Sequence, residues 1–338
     1  MDLSTVWYVL LGLLLGGYFV LGGFDYGVQM LTAVFGRGDE RQRRVLLGAV
    51  GPFFLGNEVW LVAVAGVLFG AFPFLEGTLL AGFYPVVVVL VLALVVGKTA
   101  VQLRSRYRSR AARRSWDLLI ALGGLVPALA WGVMIGLLLQ GVPLDADSQI
   151  ALSGGDVANP FVVTAALAVA SVFLLHGAAF LAMRLRGDGQ ARAEALLARL
   201  RPVVLVLIIA AVVAGLGSSD VRTTIGQPAL AVVLVAGLLV AVGGAPTLVQ
   251  RTAAWKAFAM TSAAVVLPVL LVGVGLFPLV LVSTLDPALS MSVGEGAADP
   301  ATLEVLGWFA LVLLPVIGCY QAFSWWLFRG RVSRPSYF

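Results

Sequence analysis

Nine apolar runs, most of them about 20 residues or longer, follow one another along this chain with short polar connections between them. At 1.5 Å per helical residue, about 20 apolar residues cross a hydrocarbon layer roughly 30 Å thick. Lipid offers the backbone no hydrogen-bond partners, so each run must close its bonds internally, as a helix. The short alternating strands of a membrane barrel do not occur in the sequence. Hydrophobic residues make up 61% of the chain and charged residues 12%, more apolar material than one water-soluble core can bury. The predicted fold is therefore an all-α integral membrane protein with about nine transmembrane helices. No connection is long enough to fold alone, so residues 1–338 read as a single polytopic membrane domain.

The runs cover residues 6–35, 45–72, 79–101, 118–139, 161–183, 203–216, 228–249, 258–282 and 306–328. Between the fifth and sixth, residues 184–202 carry a helical apolar stripe and are expected to lie along the membrane surface. Of the 22 Lys and Arg residues, 20 fall in the connections after odd-numbered runs or in the C-terminal tail. Arg222 alone sits after an even-numbered run, and Lys98 lies near the inner end of the third. Cytoplasmic loops collect Lys and Arg, so the N-terminus is expected outside and the C-terminus in the cytoplasm. The outer loops are acidic, with Asp145, Asp147, Asp156, Asp286, Glu295 and Asp299. The net charge of +5 is thus a mark of topology in the cytoplasmic membrane, not of nucleic-acid binding. The opening MDLSTVW lacks the basic residues of a cleavable signal. Cys319 is the sole cysteine; it excludes an internal disulfide and reads as a buried, inert thiol.

Ionisable side chains at membrane depth are expensive, and each is a functional candidate. Asp25, in GGFDYG, precedes Arg37 by 12 residues, and Glu58, in GNEVWL, follows Arg44 by 14. The helical rise puts them roughly 18 and 21 Å from the inner charges, at matching depth on adjacent antiparallel helices. They are expected to share a proton, or to pair through Asn57 and water. The competing reading is a neutral, hydrogen-bonded acid that locks two helices together. His176, in FLLHGAAF, has the chemistry of a haem axial ligand, with Met134 or Met183 as a formal partner. As the only histidine it cannot build a two-histidine site, and a hydrogen bond to a neighbouring helix is the favoured expectation. Gly16, Gly17, Gly22, Gly23 and Gly27 let helices approach the first span closely. Trp325 and Trp326 read as an interfacial anchor, and Pro127, Pro268 and Pro315 as kinks. Walker loops, dinucleotide fingerprints, CxxC pairs and nucleophile motifs are absent, so the chain by itself reads as non-catalytic.

In order, GGFDYG, GNEVWL, FGAFP, AGFYP, PALAWG, LLQGVPLD, FLLHGAAFLAMRLRG and GLFPLVLVST together resemble subunit II of the cytochrome bd-type quinol oxidases. The resemblance covers most of the chain. It implies a heterodimer with a homologous subunit I that carries haems b and d and oxidises quinol. It also allows a small accessory single-helix subunit and a structural quinone. The present chain would ligate no haem; it would brace subunit I and line a proton route. Asp25, Asn57, Glu58 and Trp60 are the residues implied for that route or for the interface, with His176 and Lys98 as further buried polar groups. The chain departs from the family where Trp-Asp-Gly-Asn is replaced by Phe54, Leu55, Gly56 and Asn57. The family acid falls on Leu55, and a basic residue of the third helix is replaced by Gly97, with Lys98 beside it. Either Glu58, one turn on, or a path in subunit I is expected to substitute. Two rival readings stand: a transporter or channel subunit working through Asp25 and Glu58, and an assembly partner with no proton role.

Overall fold

The computed structural model describes residues 2–35, 40–107, 109–250 and 254–332. Arg37, Arg108, Arg251 and Arg334, which enter the charge argument above, lie outside them. The chain runs through α1 (Leu3–Phe35), α2 (Glu40–Val50), α3 (Glu58–Ala71), α4 (Pro73–Gly82), α5 (Tyr84–Leu103), α6 (Arg110–Gln140) and α7 (Gly154–Val157). It continues with α8 (Pro160–Arg184), α9 (Asp188–Gly217), α10 (Ser219–Thr224), α11 (Pro228–Gln250), α12 (Ala254–Leu276), β1 (Leu279–Leu281), β2 (Met291–Ser292), α13 (Val293–Gly296) and α14 (Pro300–Leu327). Among the described residues, eight helices are long and apolar enough to cross a membrane, and α3 with α4, bent by 117°, is a ninth candidate.

The first helix is the hub. It packs against α3, α6, α8 and α12, and residues 21–29 form an unbroken buried stretch. Contact with α8 is backbone to backbone: a Cβ on Gly27 would lie 2.2 Å from the Phe173 carbonyl, and one on Gly177 would lie 2.5 Å from Gly27 C. Such closeness is how apolar helices gain van der Waals contact where lipid provides no hydrophobic drive. Conversely, α14 buries only Leu303, Gln321 and Ser324. It is tied by Trp7 Nε1 donating to Leu303 O at 3.2 Å, and by the buried Arg184 guanidinium donating to Phe328 O and Gly330 O.

Several expected boundaries shift. The second run is not one helix: α2 ends at Val50, residues 51–57 form turns, and α3 begins at Glu58. Pro52 lacks an N–H and crowds the preceding turn, which weakens the helix at GPFFLGN, and here the chain leaves it. Residues 188–202 are not a separate surface helix but the first half of the continuous α9, which carries Pro202 within it. Their stripe, Ala193 and Leu197, is fully buried. The eighth run ends at Leu276, and the chain then forms β1, antiparallel to β2. Cys319 is exposed, not buried. The acids of the outer loops cap local structure: Asp156 and Glu295 complete capping boxes, and Asp299 accepts from Thr302 N.

Candidate functional site

Asp25 is fully buried in the middle of α1. Its Oδ2 accepts from Asn57 Nδ2 at 3.1 Å and from Lys98 Nζ at 3.1 Å, while Oδ1 has no partner among the described residues. Asn57 is the last residue of the turn that breaks the second span, and its amide also donates to Leu21 O at 3.1 Å. The helical break therefore has a chemical consequence. It frees the Asn57 side chain to bind an acid on α1 and places Glu58 at the start of α3, where the helix dipole favours negative charge.

Lys98 reaches across from α5. Its ammonium lies 2.7 Å from Glu58 Oε1, 3.5 Å from the Phe54 carbonyl and 4.2 Å from the centre of the Phe54 ring. One cation thus bridges two carboxylates from different helices. Burying a charge away from water is tolerable only with such a partner. On the far side, Gln321 Nε2 of α14 donates to Asn57 Oδ1 at 3.3 Å. The cluster therefore draws on α1, the 51–57 turn, α3, α5 and α14.

Of the residues singled out from sequence, Asp25, Asn57, Glu58 and Lys98 come together. Asp25 and Glu58 meet through Lys98, a bridge the sequence reading did not include. Trp60 stands apart from this hydrogen-bond set and fills the notch at Gly17, where a Cβ would lie 2.3 Å from its ring. Leu55, at the position of the family acid, points away and is 66% exposed. His176 makes its own contacts: Nε2 donates to Val20 O at 2.9 Å, and Nδ1 meets the Thr261 hydroxyl at 2.8 Å. Its ring stacks on Phe258 at 4.8 Å. Gln321 is a member of the cluster that the sequence does not single out, its one signal being that it is the lone amide side chain of α14. Among the described residues no group of three or more His, Cys, Asp or Glu side chains is placed to hold a metal ion.

Two further features lie outside the membrane-depth cluster. An apolar groove of about 1040 Å³ opens between α1, α3, α5, α6 and α12, lined by Leu15, Leu68, Leu90, Met134 and Val269, with Thr5 and Gln227 among its few polar residues. At the basic end of the bundle, the buried Arg104 guanidinium donates twice to Glu40, at 2.9 Å each, and also to Asp117, which Arg43 pairs at 2.7 Å.

A family model described as cytochrome bd terminal oxidase subunit II matches residues 3–328. The chain is 33% identical over 335 residues to the cytochrome bd ubiquinol oxidase subunit 2 of Bacillus subtilis, covering 98% of this chain and 97% of that one. It is 30% identical over 364 residues to the cytochrome bd-I ubiquinol oxidase subunit 2 of Escherichia coli K12, covering 98% and 96%. In fold it is similar to a chain of the bd oxidase from Geobacillus thermodenitrificans, with a TM-score of 0.76 at 16% identity over 97% of this chain and 99% of that one.

Proposed function

The chain belongs to the cytochrome bd terminal oxidase subunit II family, and from that premise we propose that Asp25, Lys98 and Glu58 form its proton-handling centre. The protein is a multi-pass subunit of an oxidoreductase complex in the cytoplasmic membrane. The expectation of a transporter or channel subunit finds no support, since the relatives and the fold neighbour are oxidases.

The observation that carries the proposal is the half-satisfied carboxylate of Asp25. Oδ2 is held by Asn57 and Lys98, and Oδ1 remains free to take a proton at a depth where acids are costly. Leu55 cannot hold a proton, but Glu58, one helical turn on, reaches Lys98 from the edge of the bundle with 25% of its side chain exposed. Glu58 thus takes over the part of the missing acid, and Lys98 keeps either carboxylate from carrying an uncompensated charge. In the purified complex, Asp25→Asn and Glu58→Gln are expected to slow both turnover and proton uptake. Parent rates in both variants would overturn the proposal.

In this reading a homologous subunit I carries haems b and d and oxidises a quinol, and a small accessory subunit joins them. The names of the relatives, ubiquinol oxidase subunits, support the substrate class. Residues of this chain do not suit a haem: both nitrogens of its only histidine are engaged by Thr261 and Val20 in a fully buried pocket. The exposed apolar face of α14, with Trp308, Phe309, Val316 and Phe323, supports its role as the bracing surface for subunit I. Both the volume and the apolar lining of the 1040 Å³ groove suit the prenyl chain of a structural quinone. Solvent extraction of the washed complex, followed by quinone analysis, tests that assignment.

A further inference from the structure

Only the second half of α9 is apolar. Its outward face there carries Val203, Val206, Ile209, Val213 and Leu216, each at least half exposed, over about 20 Å. The neighbouring α8 has no Arg, Lys, Asp or Glu from Phe161 to Met183, about 33 Å. The two helices run antiparallel and side by side. Residues 185–187 join them at one end, and at the other a Cβ on Gly215 would lie 3.0 Å from the Phe161 ring. The apolar face of α9 therefore falls about 13 Å short of that of α8. The missing part is the first half of α9, which carries Arg192, Arg199 and Arg201.

Contacts between helices fix the height of these arginines. Gly27 abuts Gly177, so Asp25 is level with about residue 175 of α8. Counted back from the 185–187 turn, Arg199 is level with about residue 174 and Arg201 with about residue 172. Arg199 thus stands at the height of Asp25. On α12, Thr261 meets His176, and the exposed Trp255 ring beside Lys256 lies nearer the basic end and marks the boundary with water. Arg199 is then roughly 10 Å inside the hydrocarbon, and Arg201 roughly 13 Å. Arg199 is exposed and Arg201 half-buried, and neither enters an ion pair among the described residues. Arg192, closer to the boundary, donates to Gln42. The surface assigned above to subunit I does not cover them, since α14 packs on α1 and α3, and α9 on α8 and α11.

A guanidinium facing hydrocarbon is costly, and the cost is relieved by snorkelling or by a local thinning of the bilayer. The depth of Arg199 and Arg201 exceeds what one side chain covers by snorkelling, so the headgroups must come to them. We infer that the leaflet at the basic end is thinned against α9, and that phosphates of anionic phospholipids dock on Arg199 and Arg201. A span with too short an apolar face draws the bilayer in by this means. Arginine suits the occupant, because its planar fork gives a phosphate two parallel N–H bonds. Anionic headgroups are also the lipids that a basic stripe attracts. The same helix then holds the lipid at both ends, with the phosphate on its arginines and the acyl chains along Val203 and Val206.

The whole complex in nanodiscs, with Cys319→Ser as background, tests both parts. Ala195 of α9 and Ala259 of α12 are exposed and stand at one height by the same contacts. Ala195→Cys is expected to react with a membrane-impermeant maleimide about tenfold faster than Ala259→Cys, because only the first faces a thinned leaflet. In nanodiscs of mixed phosphatidylcholine and phosphatidylglycerol, native mass spectrometry is expected to find phosphatidylglycerol enriched on the parent complex. Arg199→Gln with Arg201→Gln should lower that enrichment by about fivefold for each arginine removed. Arg199→Lys with Arg201→Lys should keep most of it. If the double glutamine variant does not assemble, Arg199→Gln alone carries the single-arginine expectation. Equal labelling of the two cysteine variants, parent enrichment in the glutamine variants, or shielding of Ala195→Cys by a co-purifying protein chain would overturn the inference.

Discussion

Lys98 Nζ, carried by α5, lies 3.1 Å from Asp25 Oδ2 on α1, and this buried ion pair joins two helices that the chain separates by 73 residues. Removing one partner of such a pair strands the other charge, which costs about 3–5 kcal/mol. Lys98→Met is therefore expected to lower the thermal midpoint and the yield of the purified complex. Asp25→Asn added to Lys98→Met should recover part of the loss, because one of the two stranded carboxylates is then gone. Heating followed by size-exclusion chromatography reads both variants. A single variant as stable as the parent would contradict the bridge.

His176 tests whether this chain touches haem chemistry at all. Its two hydrogen bonds tie α8 to α1 and α12. His176→Leu is expected to destabilise the complex by about 1–3 kcal/mol, as for a lost buried hydrogen-bonding group. Haem content and visible spectrum should stay at parent values. Loss of one haem band in an assembled complex would contradict the structural role.

The clamp at the basic end has a pH signature. Glu40 is held below the usual carboxylate range, chiefly by its hydrogen bonds with Arg104 and by the charges of Arg104, Arg113 and Arg43. A carboxylate with a lowered folded pKa stabilises the fold at pH values above its unfolded pKa, near 4.3. That contribution disappears as pH falls through the lower, folded value. The thermal midpoint of the parent should therefore drop more steeply than that of Glu40→Gln below about pH 4.5, and the two should run parallel above pH 6. Parallel curves throughout would show that the clamp does not titrate in this way. Glu40 is 40% exposed at its side chain, so the effect is modest.

The orientation expected from the charge distribution, N-terminus outside and C-terminus in the cytoplasm, is directly measurable. With Cys319→Ser as background, Asp147→Cys in an outer acidic loop should react with a membrane-impermeant maleimide in intact cells. Arg331→Cys in the basic tail should react only after permeabilisation. Both positions are exposed. The reverse pattern would invert the topology read from the Lys and Arg distribution.

Membrane residence, helical class, approximate span number and the candidacy of Asp25 and Glu58 were all legible in the linear chain. Each follows from the cost of moving a group from water to lipid, which depends on residue type and run length alone. Lys98 was harder to read, because its neighbours in sequence suggest an inner loop edge while its long side chain reaches acids on α1 and α3. Gln321 and Gln29 were invisible for the same reason. An amide in an apolar run is polar in any environment, and only its neighbours tell whether it is paired, as Gln321 is with Asn57, or unpaired, as Gln29 is.

Breaks and joins between helices also lay beyond a reading by hydropathy. Pro52 lies within an apolar run and Pro202 at the start of one, yet residues 51–57 leave the helix whereas α9 runs on through Pro202. Proline removes one N–H donor in either case; what differs is whether the surrounding helices hold the chain straight or accept a turn. The transfer of apolar side chains out of water is a sum over residues, so the chain determines it unaided. Which carboxylate meets which ammonium is a matter of direction and distance between segments far apart in sequence, and only the packed bundle decides it.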